Sequence, residues 1–60
     1  MYIVKHMDAF YTGKFEINGV VIMINHSNMK EDAKVFNTKE EIKEEMKNIG
    51  NYDYIIEEAN

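Results

Sequence analysis

One stretch of this 60-residue chain decides its fold, Asn18-Gly19-Val20-Val21-Ile22-Met23-Ile24. Asn-Gly is the strongest short hairpin signal, because a type I′ turn needs positive φ at both central residues. Five consecutive apolar residues follow it. Since the side chains of a strand alternate, they place bulky apolar groups on both faces of a sheet. Residues 20–24 are therefore predicted to form a central strand, and a single helix can cover only one of its faces.

Other strands follow from alternating apolar residues on either side of this hairpin. We predict strands over residues 2–7, 14–17 and 52–57, and a short edge strand over residues 33–36. Tyr2, Val4 and His6 share one face of the first strand. Residues 8–13 are predicted to be a connection, although residues 10–12 have strand character and can extend the next strand backwards. Residues 29–32 fit either a strand or a loop.

A helix is predicted after Thr38, which stands at the N-cap with Glu41 three residues later, the pattern of a capping box. Ile42, Met46 and Ile49 then form a narrow apolar stripe, and Gly50 is expected to stop the helix in the left-handed conformation. The order β-β-β-(β)-α-β predicts an α+β fold, with a small antiparallel sheet and one helix packed on one face. Residues 1–60 are expected to form a single domain.

The predicted sheet carries more apolar side chains than one helix can cover. The helix-facing set is expected to be Phe15, Ile17, Val20, Ile22 and Ile24, with Tyr54 and Ile56. The opposite face then holds Ile3, Met7, Val21, Met23 and Ile55. A soluble monomer seldom exposes such a patch, and a domain this small gains from oligomerisation. We therefore expect a homodimer with these five residues as its self-interface. Coverage of that face by the Phe10–Tyr11 or Met29 loop remains the alternative.

Composition excludes several classes of protein. Cys, Pro and Trp are absent, and all seven basic residues are lysines. Disulfides and a plausible zinc ligand set are thus excluded. The absence of Arg and the net charge of −4 argue against binding nucleic acid. That charge arises in residues 38–60, where three lysines stand against seven acids, while residues 1–37 carry four of each.

Localisation is predicted from the apolar runs. The first residues lack the long apolar segment of a signal peptide, and the longest uncharged apolar run is too short to span a membrane. The bias toward Lys, Asn, Ile and Glu is typical of AT-rich genomes. We expect a cytoplasmic protein of a bacterial host, without membrane contact.

Catalytic residues are not apparent. His6 and Asp8 lie two residues apart, and His26 precedes the single serine, Ser27, but no nucleophile, base and orienting group can be named together. The three glycines are isolated, so there is no phosphate-binding loop. We expect no enzyme activity, no cofactor and no bound metal.

The acidic C-terminal part offers candidates for binding a basic surface on a partner protein. They are Glu41, Glu44, Glu45, Tyr52, Asp53, Tyr54 and Glu57. Tyrosines anchor many protein interfaces because they combine a large contact area with a low entropy cost. The alternatives are a solvated helix face with Glu–Lys pairs, and tyrosines packed in the core.

Residues 32–58 run from Asp32-Ala33-Lys34-Val35-Phe36-Asn37-Thr38-Lys39-Glu40-Glu41 to Tyr54-Ile55-Ile56-Glu57-Glu58. With the opening Tyr2-Ile3-Val4-Lys5-His6, this pattern resembles small phage-encoded accessory proteins of low-GC bacteria, and its size is compatible with the Hachiman anti-defence type. No motif residue can be matched, so the resemblance assigns no site residues. It implies a protein that inhibits a host protein, most plausibly a defence component. Since the sheet has excess apolar surface and no catalytic residues are apparent, we expect inhibition by surface occlusion as a homodimer. The alternatives are a structural or regulatory assembly module and a small nucleic-acid-associated protein.

Overall fold

The computed structural model of the chain describes residues 1–59. In this range the chain forms four strands, a short 3-10 turn and one helix. The strands are β1 (Tyr2–His6), β2 (Ala9–Ile17), β3 (Val20–Ser27) and β4 (Ile55–Glu58), the helix is α1 (Lys39–Met46), and the 3-10 turn is Lys30–Asp32. Neighbouring strands are all antiparallel, in the order β3-β2-β1-β4. The predicted α+β fold with a small antiparallel sheet is confirmed.

The hairpin between β2 and β3 has the predicted turn. Asn18 and Gly19 have φ values of 52° and 81°, both positive as a type I′ turn requires. β3, however, lies at the edge of the sheet, so the prediction of a central strand over residues 20–24 was wrong. Most of the predicted connection belongs to β2, which leaves the two-residue turn Met7-Asp8 between β1 and β2. A two-residue turn joins neighbouring antiparallel strands. β1 therefore pairs with the edge of β2 that is not occupied by β3.

The pairing of β2 with β3 shifts register twice, and each shift changes which residues face the helix. Glu16 pairs with Val21 but Phe15 pairs with Met23, so Ile22 is an extra residue on β3. In the second shift Thr12 is the extra residue, on β2. A bulge moves every residue beyond it to the opposite face.

The register shifts explain why the predicted helix-facing set is partly wrong. Unbroken alternation would have put Phe15, Ile17, Val20, Ile22 and Ile24 on one face. The bulge instead leaves Ile24 on the helix side and the others away from the core, where they are between 51% and 60% exposed. Ile24, Tyr54 and Ile56 do pack against the core, as predicted.

The helix begins as predicted and ends earlier than predicted. Oγ1 of Thr38 accepts a hydrogen bond from the Glu41 amide at 3.1 Å. Oε1 of Glu41 accepts one from the amide of Asn37 rather than that of Thr38. The helix ends at Met46, and Gly50 is not left-handed. Hydrogen bonds from Lys47 to Glu44 and from Ile49 to Met46 tighten the last turn, so no glycine stop is needed there.

The core lies between α1 and one face of the sheet. Its buried cluster consists of Val4, Tyr11, Phe36, Ile42 and Met46. Ile42 and Met46 of the predicted apolar stripe are therefore buried, while Ile49, which lies beyond the end of the helix, packs against this cluster. Because Thr12 is the extra residue of its bulge, Tyr11 faces the helix instead of sharing a face with Phe15.

The segment before the helix covers part of the other face. Its predicted edge strand is reduced to one bridge, in which Phe36 exchanges two 2.8 Å backbone hydrogen bonds with Tyr2. The Lys34 amide bonds to the carbonyl of Tyr11 at 3.0 Å, so the segment fills the gap between β1 and β2. Ile3 is only 2% exposed, and it lines a groove together with Ala33 and Val35 of this segment.

Candidate functional site

A contiguous apolar surface lies on the outer half of the β2–β3 hairpin. We call it the hairpin surface, and define it as Phe15, Ile17, Val20, Ile22 and Met23. Phe15 pairs with Met23 and Ile17 with Val20 across the two strands, so these four side chains share the face away from the helix. Ile22 is the extra residue of the bulge. Each of the five is more than half exposed.

The outer half of the hairpin is uncovered on its helix side as well, because the hairpin is longer than the helix. The nine residues of β2 span about 30 Å at the usual rise of a strand, whereas the eight residues of α1 span about 12 Å. On the helix side, Nζ of Lys14 reaches the Glu45 carbonyl at 2.6 Å, and Ile24, which pairs with Lys14, is the outermost hairpin residue packed against the core. Beyond this pair the hairpin extends past the helix.

The predicted self-interface is not a single surface. Ile3 is buried within the chain, which excludes it from any open face. Val21 is half-buried and pairs with Glu16, on the same face as Lys14. Met7 and Ile55 are exposed, and with Lys5 they line a shallow groove of about 290 Å³ at the end of β2 opposite the hairpin turn. Met23 alone of the predicted five belongs to the hairpin surface.

The seven residues predicted to bind a basic partner surface do not form one surface either. Glu41 and Glu44 are exposed on the helix, and Asp53 is exposed in the connection to β4. Oε2 of Glu57 lies 3.8 Å from Nζ of Lys30. Glu57 is the pairing partner of Ile3, so the two side chains lie on the same face of the sheet. The remaining candidates, Glu45, Tyr52 and Tyr54, are half-buried and take part in internal contacts.

Glu45 is held between the sheet and the segment before the helix. Its Oε2 accepts hydrogen bonds from the Tyr11 hydroxyl at 2.6 Å and from Nζ of Lys34 at 3.0 Å. Burial by itself raises the pKa of Glu45, but these hydrogen bonds and the charges of Lys34 and Lys14 outweigh it, and the pKa is lowered. Burial, and then the bond to Glu45, raise the pKa of Tyr11 far above its usual value. The pair is therefore a neutral phenol donating to a carboxylate.

A second polar cluster joins both histidines to Tyr52. The rings of His6 and Tyr52 stack with centroids 4.4 Å apart, and Nδ1 of His6 donates to the carbonyl of Asp53. Nε2 of His26 and the Tyr52 hydroxyl share a hydrogen bond of 2.6 Å. Burial, and then the nearby His6, lower the pKa of His26, and burial raises the pKa of Tyr52.

This cluster attaches the connection between α1 and β4 to the sheet. His6 lies at the end of β1 and His26 near the end of β3, so both strands contact Tyr52 across the sheet. Among residues 1–59 no group of three or more His, Asp or Glu side chains could hold a metal ion. Nδ1 of His6 bonds to a backbone carbonyl and Nε2 of His26 to a phenol. These bonds hold the connection between α1 and β4 in place on the sheet.

Sequence reasoning missed the hairpin surface because it assumed unbroken alternation. The one available signal was Gly13, since a glycine inside a strand pattern often marks a bulge, and its φ of 151° lies in the region that favours glycine. The histidine–tyrosine cluster had no signal in spacing, because its members are up to 46 positions apart, from His6 to Tyr52.

Comparison of the chain with protein-family models, with curated proteins and with solved structures found no significant match. Within residues 1–59 no helix has the length and apolar character needed to cross a membrane.

Proposed function

We propose that the chain acts by binding another protein without catalysis, and that the hairpin surface is where that protein docks. The observation that carries the proposal is the exposure of Phe15, Ile17, Val20, Ile22 and Met23 on one projecting hairpin. Contiguous apolar patches of this kind mark interaction sites on soluble proteins. A partner that covers them gains about 25 cal/mol per Å² of apolar surface removed from water.

The chemistry of the surface defines the class of partner. All five of its side chains are uncharged, and the nearest charged residues of the hairpin, Lys14 and Glu16, lie on the helix side and pair with each other at 3.1 Å. An apolar groove or sheet face on a protein complements such a surface. A phosphate backbone does not, because it requires clustered positive charge, and the chain carries a net charge of −4.

The proposed partner is a host protein that belongs to an anti-phage defence system. The chain inhibits it as a homodimer by covering part of its surface. The resemblance to small phage accessory proteins supports this choice of partner. The rigid placement of the hairpin supports occlusion, because Lys14 and Ile24 attach its base to the helix and the core. The alternative is an assembly module whose partners are copies of itself or a larger phage complex.

The experiment compares two glutamate substitutions at equally exposed apolar positions. Met23→Glu places a charge on the hairpin surface, and Val35→Glu places one outside it; Met23 and Val35 are 56% and 52% exposed, so both variants should stay folded. Each is expressed in a low-GC host that carries a Hachiman defence system, and phage plating is measured. The wild type and Val35→Glu should restore plating, while Met23→Glu should lose the effect because docking would bury its charge.

Binding of the purified defence component, measured by calorimetry, should follow the same order. Absence of any effect of the wild-type chain on plating would contradict the defence role. A change in particle yield in a host without defence systems would favour the assembly module instead. Full activity of Met23→Glu would show that the partner docks elsewhere.

A further inference from the structure

β3 is an edge strand without most of the usual protection against pairing. Its eight residues, Val20–Ser27, contain no proline and no formally charged side chain. In the part of the chain that the structure describes, its backbone pairs only with β2. Natural edge strands are normally short, charged, interrupted by proline or covered, because their free N–H and C=O groups are a template for another strand.

The opposite edge of the sheet is protected. β4 has four residues, and two of them are Glu57 and Glu58. Charged side chains and short length are both features by which edge strands avoid pairing with another strand. The two edges of one sheet thus differ in length and charge, and only β3 is suited to adding a strand.

The geometry points to a second copy of this chain as the partner of β3, pairing antiparallel so that two four-stranded sheets become one of eight strands. The inference rests on the homodimer within the proposed function and names the surface that forms it. Two identical antiparallel strands are related by a two-fold axis, the commonest symmetry of homo-oligomers. Because each copy carries a net charge of −4, contact is favoured where neither copy carries charge, and β3 meets that condition.

The bulge defines the centre of the pairing. The extra residue Ile22 disturbs the outer half of β3, whereas residues 23–27 are continuous on β3, since the other extra residue, Thr12, belongs to β2. The midpoint of this continuous run is Asn25, which is exposed. With the two-fold axis there, Asn25 of one copy lies directly opposite Asn25 of the other, and Met23 lies opposite Ser27.

Cross-linking tests the contact, because the chain has no cysteine of its own. Asn25→Cys is compared with Ile55→Cys, which places a thiol on the exposed edge strand β4. With a short bismaleimide, Asn25→Cys should form covalent dimers faster by on the order of tenfold, because opposite Cβ atoms of a strand pair lie about 5 Å apart. Equal rates for the two variants would overturn the inference.

A second pair of variants tests the same contact without chemical modification. Asn25→Lys sets two like charges opposite each other at the axis, whereas Asn51→Lys makes the same change at an exposed position off the strand. By light scattering, the wild type and Asn51→Lys should have about twice the 7.1 kDa mass of the chain, and Asn25→Lys should have the single mass with an unchanged circular dichroism spectrum. A monomeric wild type, or a dimeric Asn25→Lys, would overturn the inference.

These outcomes are separable from those of the proposed function. Loss of phage activity in Met23→Glu with the dimer mass retained would leave the β3 pairing intact. Conversely, a partner-binding wild type that is monomeric at every concentration would support docking through the hairpin surface and contradict the β3 pairing. Masses that grow beyond the dimer would indicate head-to-tail pairing of β3 with β4, and would also contradict it.

Discussion

The hydroxyl of Tyr11 donates a hydrogen bond of 2.6 Å to Oε2 of Glu45, and so joins the middle of the sheet to the helix. Tyr11 is fully buried, and its ring packs against Phe36 with centroids 6.5 Å apart. Among the residues of the buried core cluster, Tyr11 is the one with a polar side-chain group. The bond therefore positions the helix on the sheet as well as satisfying a buried polar atom.

Tyr11→Phe should destabilise the fold while keeping its shape. Phenylalanine fills the same space, but Glu45 loses a donor, and a hydrogen bond to a charged group contributes about 1.5–3 kcal/mol. Since Lys34 remains in contact with Glu45, we expect a loss of about 1–2 kcal/mol in the free energy of unfolding. Urea denaturation measures it. The control is Tyr54→Phe, because no hydrogen bond of that hydroxyl is found among residues 1–59. Equal stability of wild type and Tyr11→Phe would contradict the prediction.

Glu45 should also make the fold sensitive to acid. Its pKa in the folded chain lies below the ordinary value of 4.5, so the unfolded chain binds the proton more readily. The stabilisation is complete above the ordinary pKa and is lost as the pH falls through the lower pKa of the folded state. Denaturation curves from about pH 6 to about pH 3 should fall less steeply for Glu45→Gln than for the wild type. Glu44→Gln, at an exposed position of the same helix, should keep the wild-type slope.

The elements that sequence reasoning predicted correctly each depend on a local requirement. The Asn18-Gly19 turn needs two residues that tolerate positive φ, and the start of α1 needs one side chain, that of Thr38, to cap an amide. Such requirements are visible in two to four neighbouring residues. The early end of the helix was missed because backbone hydrogen bonds, which no side chain signals, replace the expected stop at Gly50.

The candidate site could not be derived in the same way because it depends on register. The extra residues Thr12 and Ile22 let Tyr11 and Ile24 face the helix, and they turn Phe15 outwards. The positions of these two extra residues depend on how well residues far apart in the sequence pack together. The alternation of apolar residues within one strand carries no information about that packing. The apolar excess itself was predicted; its position on the hairpin was not.

Gly19→Ala should destabilise the hairpin, and Gly50→Ala should not. Gly19 has a φ of 81°, where a Cβ costs about 1–2 kcal/mol, although no atom lies within 4 Å of the added group. Gly50 also has open space around it and lacks a positive φ. Alanine at that position should leave stability unchanged or raise it by about 0.4–1 kcal/mol. Thermal unfolding of the two variants measures the difference, and equal effects would mean that the turn conformation is not strained by a side chain.

Met7→Gly should stabilise the fold even though it removes a large apolar side chain. Met7 has a φ of 55° at the first position of the two-residue turn that joins His6 to Ala9. A type II′ turn has positive φ at this position and favours glycine there. The methionine side chain is 82% exposed, so its removal leaves no cavity. Relief of the left-handed strain, about 1–2 kcal/mol, should exceed the entropy cost of a glycine, about 0.5–1 kcal/mol.

The matched control for this prediction is Met29→Gly. Met29 is also exposed, but its φ is −97°, so the same substitution there relieves no strain and has only the entropy cost. Urea denaturation should therefore show a higher midpoint for Met7→Gly than for the wild type, and a lower midpoint for Met29→Gly. A lower midpoint for both would contradict the prediction, because it would mean that the strain at Met7 is smaller than the entropy cost of a glycine.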